Sequence, residues 1–118
     1  MEIKLEDYKT IIVDKKKYVL PKRIEQYIIL SENVIAISVY SRKMDVEYGV
    51  KLDGGYLFFI KDEQLLQFNV TISNMWKKDN NTLGIYDGVE TLYLDINKME
   101  IIRSIWNPWG LDNPEKYK

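Results

Sequence analysis

Short segments rich in Ile, Val, Tyr, Phe and Leu recur along the chain, separated by clusters of Asp, Asn, Gly and Lys. That rhythm is one of strands and turns. From Leu66 to Ile72 the alternation is regular, with Leu66, Phe68, Val70 and Ile72 on one face and Gln67, Asn69 and Thr71 on the other. A strand with one buried face is expected there. Tyr48 to Leu52 alternates in the same way, and Asp53-Gly54-Gly55 offers the positive φ angles of a tight hairpin before Tyr56-Leu57-Phe58-Phe59-Ile60. Both faces of that last run are apolar, which predicts a central strand covered on both sides. Phe58, Phe68 and Val70 are the expected core positions.

The same logic pairs Tyr8–Val13 with Lys17–Leu20 across Asp14-Lys15-Lys16, and Ile24–Leu30 with Val34–Tyr40 across Ser31-Glu32-Asn33. After Met75-Trp76-Lys77 and the polar Lys78-Asp79-Asn80-Asn81 come Thr82–Tyr86, a turn at Asp87-Gly88, Thr91–Asp95, a turn at Ile96-Asn97-Lys98, and Met99–Trp106. This makes about nine or ten strands. Helical signal is confined to Asp62-Glu63-Gln64-Leu65, which could form one turn, and to an ambiguous Met99–Trp106, where three isoleucines favour strand. Beyond Trp106, Pro108 and Pro114 cannot donate to a ladder, so an irregular tail is expected from about residue 107. The fold class is therefore all-β: one domain over residues 1–118, a compact antiparallel sandwich or open barrel.

Composition narrows the function more than it suggests one. The chain has 118 residues with neither histidine nor cysteine, so Ser-His-Asp and Cys-His centres, thiol metal sites and a disulfide scaffold are ruled out. Seventeen Lys+Arg balance 18 Asp+Glu, a formal net charge of −1. Nucleic-acid binders ordinarily carry a basic excess on one face, so no nucleic-acid partner is expected. The densest basic run, Lys15-Lys16-Lys17, reads as a solvated hairpin tip. The N-terminus MEIKLEDYKT shows no signal peptide and no apolar run approaches a membrane span, which points to a cytoplasmic protein without a membrane partner.

Two turn motifs carry a resemblance. Leu52-Asp53-Gly54-Gly55-Tyr56 resembles a D-x-x-G turn with an apolar return strand, its glycine one position early, and Tyr93-Leu94-Asp95-Ile96-Asn97-Lys98-Met99 fits an aspartate-led D-x-x-T-G turn, with Lys98-Met99 in place of Thr-Gly. Over Tyr48–Trp106 the chain resembles small bacterial proteins built like propeller blades. A closed propeller needs about four or more blades of some 40 residues, so a sandwich or open barrel is the better fit. The group is similar in size and character to the immunity proteins encoded beside polymorphic toxins, including those of contact-dependent inhibition. That resemblance implies a non-catalytic protein that binds and neutralises one cognate toxin domain.

Chemistry of its own is harder to find. Carboxylates pair at Asp45/Glu47, Asp62/Glu63 and Asp87/Glu90, so a glycosidase-like pair is formally available, yet each lies in or beside an expected turn, where Asp and Glu are commonplace. Asp53, Asp87 and Asp95 lack the spacing of a calcium loop, and Asp53-Gly54-Gly55 is too short for a phosphate loop. No enzyme activity, cofactor or metal is expected. The alternative to a protein-binding module is a small-ligand or carbohydrate-binding β domain, with weak carboxylate-dependent hydrolysis at most.

Aromatics are the remaining signal: nine Tyr, three Trp and three Phe. Exposed aromatics beside carboxylates are the expected partner-binding surface, because anchors at interfaces are enriched in Trp, Tyr and Arg. Tyr86, Asp87 and Glu90 satisfy this on one turn. In the C-terminal stretch, Trp106 is expected to close the core, following an apolar run. Trp109 follows Pro108, has left the sheet, and should be the more exposed; it serves either as a plug over the sheet or as a partner anchor.

Overall fold

The computed structural model describes residues 1–45 and 50–111, with the side chains of residues 41–55 outside that description. Eleven strands form among the described residues, and no helix does. They are β1 (Ile3–Asp7), β2 (Thr10–Val13), β3 (Lys16–Val19), β4 (Ile24–Ser31), β5 (Val34–Asp45), β6 (Val50–Lys61), β7 (Gln64–Ile72), β8 (Asn74–Asp79), β9 (Thr82–Tyr86), β10 (Glu90–Asp95) and β11 (Glu100–Trp106). Neighbours in sequence pair antiparallel as three successive meanders, β1-β2-β3, β4-β5-β6-β7 and β8-β9-β10-β11. The all-β expectation holds, with slightly more strands than the pattern suggested.

The middle sheet is covered on both faces. On one side Val34, Ala36, Leu57 and Phe59 pack against Met75, Leu83, Ile85 and Leu94 of the third sheet. On the other, Ile35, Ile37, Val39, Phe58 and Ile60 pack against Ile11, Val13, Tyr18 and Leu20 of the first. Alternate residues of β5 and β6 thus feed two cores, which is why both faces of the Tyr56–Ile60 run are apolar. Phe58 is in the second core, as expected. Phe68 and Val70, on the outer strand β7, are half-buried and pack against the first core from its edge. Phe68 meets Phe59 edge to face, their ring centroids 6.3 Å apart.

Aspartates end strands repeatedly. Asp7, Asp79, Asp87 and Asp95 each accept the backbone N–H two residues on. A short side chain that mimics a turn carbonyl sets each reversal. Turn amides hold two of these carboxyls below the usual carboxylate range. For Asp7 the Lys9 N–H is the main cause and the Thr10 hydroxyl adds to it; for Asp79 the Asn81 N–H leads and the Thr82 hydroxyl comes second.

Several expectations need correction. Asp53-Gly54-Gly55 is not a hairpin turn: β6 runs through it, with Asp53, Gly54 and Gly55 opposite Arg42, Ser41 and Tyr40. Gly55 also faces Ile72 of β7, so ladder bonds on both sides outweigh the local turn preference of a Gly-Gly pair. The segment joining β5 to β6, with Tyr48, Gly49 and Glu47, lies outside the described residues. Asp62-Glu63 makes a two-residue hairpin turn, φ 49° and 63°, in place of a helical turn. Strand β1 went unseen because Lys4, Glu6 and Asp7 mask its alternation; it is a charged outer strand with little to bury. The run Asp14-Lys15-Lys16-Lys17 does form an exposed hairpin tip, with Asp14 and Lys15 at positive φ.

Candidate functional site

The expected binding residues sit at one end of the third sheet, where the β9–β10 turn and the chain leaving β11 lie side by side. Asp87 opens the first turn, its Oδ1 accepting from Val89 N at 2.8 Å and Glu90 N at 2.6 Å. One carboxylate oxygen is thus committed to shaping the loop. Glu90 begins β10, half-buried, directly across from Trp106 of β11. Between them Val89 projects outward.

The second segment is organised by Asn107, which was not singled out from the sequence. Its backbone N–H donates to Val89 O at 2.8 Å, extending the β10–β11 ladder by one residue. Pro108 then occupies the second position of a turn closed by Gly110 N donating to Asn107 O at 3.1 Å, and Gly110 adopts φ 66°. The side chain fastens the end of this turn to the sheet: Nδ2 donates to Thr91 Oγ1 at 3.1 Å and to Leu111 O at 2.9 Å, while Oδ1 accepts from Leu111 N at 3.0 Å. Asn107 and Thr91 are each 1% exposed, so this is a buried polar network with its partners supplied. The Asn-Pro step after a strand was its only signal in the sequence, and that pair reads as turn chemistry wherever it occurs.

Tyr86 bridges the two segments. Its hydroxyl lies 2.9 Å from both Gly88 O and Asn107 O, so its single proton is shared between the two carbonyls. The phenol is half-buried and tied to the scaffold, so its role at this surface is to hold the two loops together. Glu90, Val89, Trp106 and Trp109 are what the surface presents. Trp109 is 75% exposed and Trp106 66%, the order expected. Two of the readings fail, however. Trp106 does not close the core: β11 is an outer strand whose Ile102, Ser104 and Trp106 remain exposed, and Ile105, on the other phase, is buried instead. Nor does Trp109 plug the sheet, since a plug would bury its indole.

A shallow cleft of about 280 Å³ lies beside this end, lined by Asn74, Trp76, Tyr86, Thr91, Gly110 and Leu111. Its floor is Trp76 laid across Gly84, so closely that a Cβ on Gly84 would fall inside the indole. Of the carboxylate pairs, Asp62/Glu63 is an exposed hairpin turn, Asp87/Glu90 is partly spent on turn amides, and Glu47 lies outside the described residues. Among the described residues there is no grouping of three or more Asp or Glu that could hold a metal, and no helix long and apolar enough to cross a membrane. Compared with protein-family models, with curated proteins and with solved structures, the chain matches none.

Proposed function

We propose that the chain is a non-catalytic protein-binding module that docks its partner through the Asp87–Glu90 and Asn107–Gly110 turns. The observation that carries this reading is Trp109, three-quarters exposed at the apex of a turn locked by its neighbour Asn107. A large aromatic held on a fixed loop loses little freedom on binding, which is what an anchor requires. Asp87 and Glu90 on the adjoining turn favour a partner with a basic patch. In its most concrete form, following the resemblance of the sequence, the module acts in the cytoplasm as an immunity protein that neutralises a cognate toxin domain.

The test uses the chain as bait in extracts of its own source cells, comparing it with Trp109→Ala and with the charge reversal Asp87→Lys/Glu90→Lys. The native chain should retain one partner that both variants bind more weakly, about 30-fold for Trp109→Ala, the equivalent of about 2 kcal/mol. Adding the chain in equimolar amount should then abolish that partner's activity. Equal retention by all three would remove the surface assignment, and an unaffected partner activity would remove the inhibitor reading. One observation favours a second function, a small-ligand or carbohydrate-binding domain: the Trp76-floored cleft, although its volume is at the low end for such sites.

A further inference from the structure

Met75, Leu83, Ile85 and Leu94 turn one face of the third sheet to the core it shares with the middle sheet, and the alternate residues form an outward face. Trp76, Gly84, Tyr93 and Arg103 stand there in one cross-strand row. Gly84 gives the indole of Trp76 its seat: the place that a Cβ would take is close to Cε2, Nε1 and Cζ2 at once. The nearest is Cε2, the atom that joins the other two, so the indole lies flat on Gly84; approached edge-on, Nε1 and Cζ2 would come first. One face of the ring is thus covered by backbone. The other faces the cleft that Asn74, Tyr86, Thr91, Gly110 and Leu111 line with it.

The chemistry of this cleft limits what it can hold. None of the described residues lining it is charged, so an ionised group would lose water there without gaining a counter-charge. Its volume of about 280 Å³ falls just under the range of sites for drug-sized ligands, which leaves space for a single ring. The Tyr86 hydroxyl is already spent on Gly88 O and Asn107 O. Asn74 is exposed at the start of β8, opposite Tyr86, and among the described residues neither its side-chain amide nor Trp76 Nε1 has a hydrogen-bond partner. An aromatic plane therefore has free neutral polar groups beside it. A pyranose ring is the complement: it offers a face of C–H groups, hydroxyls around the rim and no charge. The electron-rich indole face attracts polarised C–H groups, and the Asn74 amide can donate to one hydroxyl and accept from the next. A flat aromatic ligand would stack on the indole but leave the amide unused.

We propose that the outward face of Trp76 binds one neutral pyranose residue, stacked on the indole and hydrogen-bonded to the Asn74 amide. The proposal rests on the small-ligand reading of the cleft and gives that reading its ligand class. It is separate from protein docking through Trp109, since Val89, Glu90, Trp106 and Trp109 are not among the lining residues. Gly84 already holds the indole flat, and Asn107 fixes the Leu111 wall through Leu111 N and O, so little freedom is lost when the ring enters.

Proton–nitrogen correlation NMR of the whole chain tests it. The three tryptophans give three indole N–H signals, and that of Trp76 is the one that survives in Trp106→Phe/Trp109→Phe, both exposed positions. The probes are methyl β-D-glucopyranoside, methyl β-D-galactopyranoside and N-acetyl-D-glucosamine as neutral sugars, D-glucuronate and D-glucosamine as charged ones, and p-cresol as a flat aromatic. At least one neutral sugar should shift the Trp76 signal saturably, with a Kd below about 10 mM, while the other two indole signals stay in place. Asn74→Ala, at an exposed position, should keep the fold and weaken that sugar about three- to tenfold. The charged sugars should bind at least about tenfold more weakly than the neutral one. Unchanged affinity in Asn74→Ala, or equal binding of a charged sugar, overturns the proposal. If p-cresol alone shifts the signal, the sugar class falls and the small-ligand reading of the cleft survives; if no probe shifts it, both fall.

Discussion

Replacing Asn107 with Ala isolates the tie that holds the C-terminal turn to the sheet. The side chain makes three hydrogen bonds, to Thr91 Oγ1, Leu111 O and Leu111 N, at 3.1, 2.9 and 3.0 Å. The two Leu111 groups are half-buried and can recover water, so each bond lost there costs roughly 0.5–1.5 kcal/mol. Thr91 has no such recourse. Its hydroxyl stays buried after the substitution, and an unpaired buried hydroxyl costs roughly 1–3 kcal/mol. The sum is about 2–6 kcal/mol, a sizeable part of the roughly 5–15 kcal/mol that holds a domain together. Urea unfolding followed by far-ultraviolet circular dichroism should show a lower midpoint at unchanged slope. Asn107→Asp keeps the acceptor for Leu111 N but loses both donors, and should be intermediate. A loss below about 0.5 kcal/mol for Asn107→Ala would refute the idea that this network is satisfied and buried.

Other outcomes rest on the packing and the charges. Phe58→Ala, in the core between the first and middle sheets, should cost about 3–5 kcal/mol in the same assay, and a loss below about 1 kcal/mol would mean that its side chain does not fill that core. Gly84→Ala should drive the Trp76 indole off the strand and cost about 1–3 kcal/mol; unchanged tryptophan emission would contradict the contact. Because the Asp7 and Asp79 carboxyls are held below their ordinary value of 3.8, the stability they contribute is complete above it and is lost as pH falls through it toward the depressed folded values. Melting temperature should therefore decline on acidification below about that value, and the double variant Asp7→Asn/Asp79→Asn, which keeps the amide acceptors, should decline less; equal acid sensitivity would contradict this.

Strands whose burial is one-sided or two-sided were legible in the sequence, because side-chain period and coverage are written directly into the order of residues. The Tyr56–Ile60 run announced a sheet covered on both faces, and the hairpins at Asp14-Lys15 and Glu32-Asn33 were signalled by their polar tips. What misled was local chemistry overruled by distant pairing. Gly54-Gly55 prefers a turn in isolation, but partners from β5 and β7 hold it extended. Trp106 comes after an apolar run, yet whether that face of β11 is covered depends on how far the middle sheet reaches, which no stretch of β11 encodes. Tyr86, Asp87 and Glu90 could be placed on one turn from sequence, and Trp109 on another. Their union could not be foreseen, since it runs through Asn107, whose importance comes from the burial of Thr91 sixteen residues away.

The sharing of the middle sheet between two cores has a consequence for how the molecule opens. Strands β5 and β6 line both, so releasing the first sheet strips Phe58 and Ile60, and releasing the third strips Leu57 and Phe59, from neighbouring positions of the same backbone. Neither event leaves the other core undisturbed. The amides of Ile35–Val39 and Leu57–Ile60 should therefore exchange with solvent only when the whole molecule unfolds, and those of β1 and β11, each paired on one side alone, should exchange through local fraying long before.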